Sequence, residues 1–190
     1  NFQQSVFNFI SRLRNPHLNT LMIILTKTAN PFPLVINLNI DVYSRLQTSK
    51  KEALFSFLLI LLTAGTNTLL KHLYLRQRPI VGSLIHETGF SFPSGHSMIS
   101  LALARYLAIS LFIFLSRKLI AYLLSAFLLA YTFLIGFSRV YINVHYVGDV
   151  LGGWLALYVD FFYSPLIYLI YFLVQKDHYD EHVKKKLFKS

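Results

Sequence analysis

The sequence contains no cysteine, which excludes disulfides and thiolate chemistry. Acids are scarce as well: 8 Asp and Glu stand against 18 Lys and Arg, a net charge of +10. Charged residues of both signs make up only 14% of the 190 positions, while 55% are hydrophobic, a balance that does not suit a soluble domain. A basic excess can serve nucleic acid, but in a chain this apolar it marks membrane-flanking loops, and no nucleic-acid partner is expected. The first residues do not read as a signal peptide with a small-residue cleavage site, and none is expected among them. The length is that of one domain, 1–190, ending in a basic tail over 176–190.

Long apolar runs occupy Ala53 to Leu70, Met98 to Leu115, Leu119 to Phe137 and Val150 to Val174. Each approaches the roughly 20 residues that a helix needs to cross a bilayer. Leu18 to Tyr43 is a poorer fifth, broken by Lys27, Asn30, Pro31 and Pro33. Phe2 to Leu13 is too short and too polar to cross and is expected as an amphipathic interfacial helix or as the remnant following an earlier span. The expected fold is therefore all-α, a polytopic transmembrane bundle.

With five spans, the clusters Arg45/Lys50/Lys51, Arg117/Lys118 and Lys176/Lys184/Lys185/Lys186/Lys189 fall on one side. The positive-inside rule makes that side cytoplasmic, including the C-terminus. Lys71, Arg76, Arg78 and Arg139 then lie on the opposite side, against the bias. Snorkelling helix ends would explain one or two of them; four, close to histidines, point to an anion site.

Three segments carry the polar chemistry. In Lys71-His-Leu-Tyr-Leu-Arg-Gln-Arg78-Pro79, a point charge and a planar fork are available to phosphate oxygens. In Ser91-Phe-Pro-Ser-Gly-His-Ser97, Ser94 can cap the following helix. Gly95 lets a ligand approach the backbone, and helix N–H groups attract anions next to His96. Ser94 alone reads best as an ordinary cap. In Ser138-Arg139-Val-Tyr-Ile-Asn-Val-His145-Tyr-Val-Gly-Asp149, Arg139 is expected to end one span and His145 to lie near the start of the next. His145 and Asp149 are four apart and would share a helix face. A carboxylate on one ring nitrogen leaves the other lone pair free to attack.

The ordered set Lys-x6-Arg-Pro, Pro-Ser-Gly-His and Ser-Arg-x5-His-x3-Asp resembles the type 2 phosphatidic acid phosphatase (PAP2) family, and "LIHETGFSFPSGHSM" is most similar to its small bacterial members. The resemblance implies a core shared with vanadate-dependent peroxidases and six spans, the first expected before Asn1. With Asp149 committed to His145 the outer loops offer only Glu87 to a metal, and three cations with helix N–H groups can meet the phosphoryl charge, so metal-independent hydrolysis without cofactor is expected. His145 would be the nucleophile, Asp149 its orienting acid and His96 the proton donor to the leaving oxygen. Lys71, Arg78, Ser94, Gly95 and Arg139 would hold phosphoryl oxygens. The implied substrate is a lipid phosphate or diphosphate such as phosphatidylglycerol phosphate, phosphatidic acid or undecaprenyl diphosphate. It would be cleaved through a phosphohistidine at the extracytoplasmic face of a bacterial cell membrane.

A lipid phosphotransferase would use the same site, and a non-catalytic anion transporter would share the basic loops but leave His96 and the His145–Asp149 spacing unexplained. Two buried charges need partners, so Arg105 is expected to pair with Asp160, with Lys27 competing. Gly148, Gly152 and Gly153 are expected at close helix contacts. Arg76 and Glu87 are expected near a headgroup, and His72 and His86 are given no catalytic role.

Overall fold

A computed structural model of the protein describes residues 2–29, 50–79 and 81–156, leaving aside the side chains of 50–60 and 113–114. Among these residues the structure is all-helical. Helix α1 is Phe2–Leu13, α2 Pro16–Thr28, α3 Lys50–Tyr74, α4 Gly95–Phe114 and α5 Lys118–Tyr141. A further apolar helix, α6, is described over Val147–Ala156.

Local chemistry sets several boundaries. Asn15 caps α2 by accepting the Leu18 N–H at 2.9 Å, and Pro16 follows where a missing N–H costs nothing. Ser94 caps α4. Helix α3 ends at Tyr74 because Leu75 turns left-handed, with φ of 47°, while its N–H still bonds Lys71 O at 3.0 Å. The turn comes before Pro79, so Arg76 and Arg78 leave the helix and sit on a connecting segment rather than on a helix end.

Helices α4 and α5 share the largest contact; α3 packs on α4, and α1 and α2 pack on α5. One apolar cluster joins Ile10 and Met22 to Tyr141, Ile142 and Val144, and a second holds Met98, Ala102 and Ala156. Both lie beside the polar segments, so packing of the helix ends is what places the site.

Two described helices are long and apolar enough to cross a membrane, Gly95–Phe112 and Lys118–Tyr141. Only 22% of the latter is buried. Leu119, Tyr122, Leu123 and Phe127 on α5 are all more than 60% exposed. An apolar helix that buries so little of itself suits a lipid solvent and not the core of a soluble domain. The five expected spans are not all established. Residues 16–28 form a helix of about 20 Å, shorter than the hydrocarbon core. Most of Leu18 to Tyr43 beyond it, and most of Val150 to Val174, lie outside the described residues, as does Asp160 and so the pairing expected for Arg105.

Candidate active site

Asp149 and His145 do not share a helix face as their spacing predicts: α6 starts at Val147, and His145 lies just before it. Asp149 occupies the third helical position and reaches back to accept the Tyr146 N–H at 2.8 Å, the return half of a capping box. Its charge also favours the positive end of the helix dipole. The same oxygen, Oδ2, lies 3.5 Å from His145 Nδ1 and accepts the Ser91 hydroxyl. Its other oxygen, Oδ1, accepts from Arg76 Nη1 at 2.8 Å. This carboxylate is fully buried with four donors around it.

His145 is 2% exposed. Its Nε2 lies 3.1 Å from Arg78 Nη1. A guanidinium has only donors, so Nε2 must accept and carries the lone pair; the ring proton therefore sits on Nδ1, toward Asp149. Burial pushes the imidazole down to about 4, against the hydrogen bond with Asp149, which raises it, and with help from the Arg139 and Arg78 charges. The ring is thus neutral near pH 7, with its lone pair on Nε2.

Arg78 is anchored by backbone carbonyls: Nε donates to Gly89 O at 3.0 Å, Nη1 to Val144 O at 3.0 Å and Nη2 to Thr88 O at 3.2 Å. The fork is held against His145 before any anion arrives. Arg139, 1% exposed, donates from Nη2 to Glu87 Oε1 at 2.7 Å and from Nη1 to Thr26 at 2.9 Å. Burial would raise the Glu87 carboxyl, but the hydrogen bond and charge of Arg139 hold it below the usual carboxylate range. His96 lies within electrostatic reach of Arg139, Glu87, His145 and Arg78. Lys71 Nζ donates to Phe90 O at 2.6 Å, and its charge is coupled to those of Arg78, Asp149, Glu87 and Arg139.

The Ser94-Gly95 turn is more structural than its composition suggests. Ser94 Oγ accepts from Ser97 Oγ at 3.0 Å and from the Ser97 N–H at 3.5 Å. A Cβ on Gly95 would lie 3.2 Å from Asn67 Oδ1, so the missing side chain admits Asn67. Asn67 in turn donates to Pro93 O at 3.3 Å. From the other side, Ser94 N–H bonds Asp149 O at 2.9 Å, and a Cβ on Gly153 would come within 2.8 Å of Ser94 O. Helices α3 and α6 thus clamp the turn that carries His96.

Of the eight expected site residues, contacts and mutual charge effects bring together Lys71, Arg78, His96, Arg139, His145 and Asp149, while Ser94 meets Asp149 through its backbone and Gly95 faces Asn67. Arg76 pairs with Asp149 and lies over the Tyr146 ring at 4.4 Å. Glu87 meets Arg139. Thr26, Asn67 and Ser91 support the site without having been singled out from the sequence. Only Ser91 had a signal there, a hydroxyl three residues before Ser94. His72 stays with its own helix, its Nδ1 2.8 Å from Thr68 O.

The comparisons agree with this architecture. The family model described as PAP2 superfamily matches residues 52–172. The chain is 35% identical over 186 residues to phosphatidylglycerophosphatase B of Bacillus subtilis (strain 168), covering 91% of this chain and 80% of that protein. Among solved structures it is similar to a transmembrane PAP2 type phosphatidylglycerolphosphate phosphatase from Bacillus subtilis. That likeness has a TM-score of 0.78 and 29% identity, over 86% of this chain and 83% of the other. Aquifex aeolicus LpxE aligns with a TM-score of 0.62 and 26% identity, over 82% and 90% of the two chains. A buried imidazole paired with a carboxylate, ringed by basic side chains at the ends of apolar helices, together with these matches, places the chain in the PAP2 superfamily.

Proposed function

We propose that the protein is a membrane lipid-phosphate phosphatase working through a phosphohistidine on His145. The observation that carries this reading is the pair of contacts that assigns the tautomer: Nε2 lies 3.1 Å from the all-donor guanidinium of Arg78 while Nδ1 faces Asp149. The similarity to phosphatidylglycerophosphatase B supports a phosphorylated lipid as substrate, and the apolar exposed α5 supports a substrate held in a bilayer.

In the first step His145 Nε2 attacks phosphorus and the bond from phosphorus to the leaving oxygen breaks. Burial and the Arg139 charge work against a proton on His96 without an anion, so the bound phosphate dianion draws in the proton that His96 then gives to that oxygen. Arg78, Arg139 and Lys71 meet the charge on the phosphoryl oxygens, with Ser94 and the N–H groups at Gly95 completing the cradle. Phosphoryl transfer asks chiefly for positioning and charge stabilisation, which three cations supply without a metal ion. In the second step His96 takes a proton from water, whose oxygen attacks phosphorus and releases inorganic phosphate and neutral His145. Site and substrate headgroup meet at the extracytoplasmic interface, with the C-terminus cytoplasmic, on the charge bias of the loops.

The test is phosphate release from phosphatidylglycerol phosphate, phosphatidic acid and undecaprenyl diphosphate in detergent, with and without chelator, beside His145→Ala. Release that survives chelator and vanishes in the variant, with acid-labile label trapped on the wild-type protein, is expected. Unchanged release by His145→Ala overturns the reading.

A further inference from the structure

The orienting contact on the nucleophile is longer than a good hydrogen bond. His145 Nδ1 and Asp149 Oδ2 are 3.5 Å apart, beyond the usual 2.7–3.2 Å for N–H···O. Ser91 Oγ lies beside both groups: it donates to Asp149 Oδ2 and sits 3.4 Å from His145 Nδ1, as long a contact as the direct one, so the ring proton faces two long contacts that the Ser91–Asp149 hydrogen bond ties together. Ser91 is fully buried, and its backbone N–H is tied to Arg76 O at 2.7 Å. The backbone of Arg76 therefore fixes the residue carrying this hydroxyl, while the Arg76 side chain holds the opposite oxygen of the same carboxylate.

We propose that Ser91 is a positioning residue of the dyad, its hydroxyl bridging the His145 ring and the Asp149 carboxylate. This rests on the reading of His145 as nucleophile. A hydroxyl both accepts and donates, so Nδ1–H can point at Oγ while Oγ–H points at Oδ2. When Nε2 bonds to phosphorus the ring gains positive charge, and its Nδ1–H becomes a stronger donor. The bridge then gives that proton a nearby oxygen, backed by an ionised carboxylate that Arg76 and the Tyr146 N–H hold in place. No proton leaves Nδ1 in this scheme; the bridge orients the ring and disperses its charge.

The test uses the full chain in detergent with a radiolabelled lipid phosphate, followed long enough to measure slow variants. Ser91→Ala is expected to lower kcat on the order of 10- to 100-fold, the range typical of groups that orient a functional histidine, with KM within about 3-fold. Ser91→Cys fills the space but bonds weakly, so it is expected to fall with Ser91→Ala. On an Asp149→Asn background the added loss from Ser91→Ala is expected to shrink to about 3-fold or less, because both residues act through one ring. Wild-type kcat in Ser91→Ala, recovery in Ser91→Cys, or the same fractional loss on both backgrounds overturns the proposal. If His145→Ala is inactive in the same assay, any such result counts against Ser91 alone; if His145→Ala turns over, the nucleophile assignment itself has failed.

Discussion

Arg76 provides a quantitative test of how the dyad is held. Its Nη1 donates to Asp149 Oδ1 at 2.8 Å, and its guanidinium lies 4.4 Å from the Tyr146 ring centroid. Asp149 is fully buried, whereas the Arg76 side chain is 36% exposed. A hydrogen bond between charged groups contributes about 1.5–3 kcal/mol, and solvent at Arg76 argues for the lower end. The stacking on Tyr146 adds about 0.5–1 kcal/mol. The total is roughly 2 kcal/mol, and if the transition state depends on all of it, kcat falls about 30-fold in Arg76→Ala. Because the contact is to Asp149 and not to substrate, KM should move little and the loss should be alike for lipids with different headgroups. Arg76→Lys should recover only part, since an ammonium restores charge without the planar stack. Steady-state phosphate release on two lipids gives both constants. A rise in KM confined to one headgroup, with kcat intact, would show that Arg76 reads substrate and would refute the reasoning.

Other outcomes follow from the same geometry. Gly153→Ala places a methyl 2.8 Å from Ser94 O, a backbone atom that cannot swing aside. Overpacking of this kind costs about 1–3 kcal/mol, read as a lower thermal midpoint and impaired turnover. Gly65→Ala, with nothing within 4 Å, is the control and should be neutral or stabilising. The depressed His145 pKa, about 4 in the fold against an ordinary 6.5, sets a pH signature. Below 6.5 the unfolded chain binds a proton that the folded ring refuses. The stabilisation is therefore complete above about 6.5 and is lost as pH falls toward 4, by at most about 3 kcal/mol. Denaturant midpoints across that window should fall less steeply for His145→Gln than for wild type; parallel curves would contradict the shift. His96→Ala should slow lipid monophosphates more than lipid diphosphates, because an alkoxide needs a proton on departure more than a phosphate does. Equal losses on matched lipids, with chemistry rate-limiting, would remove His96 as the proton donor.

Much of the organisation was legible because it is written in short-range chemistry. The α1 limits, the Ser94 cap and the three polar segments depend on residue type and spacing within a few positions. The helical reading of His145 and Asp149 missed because the chain enters α6 only at Val147, so Asp149 meets His145 by turning back toward the helix start. Gly95 was read as room for a ligand, and the space its missing side chain leaves faces Asn67.

Composition and residue order alone make the chain apolar, basic and cysteine-free, with His96, His145 and a set of cations at the ends of greasy runs. Which cation meets which acid was decided by tertiary structure. Arg76 reaches Asp149 across 73 positions, and Arg139 reaches Glu87 across 52 and Thr26 across 113. The physical reason is that arginine side chains are long and alike, so spacing along the chain cannot choose among them. Helix packing brings Asp149 to Arg76 and Glu87 to Arg139, while Arg78 is left to backbone carbonyls and His145.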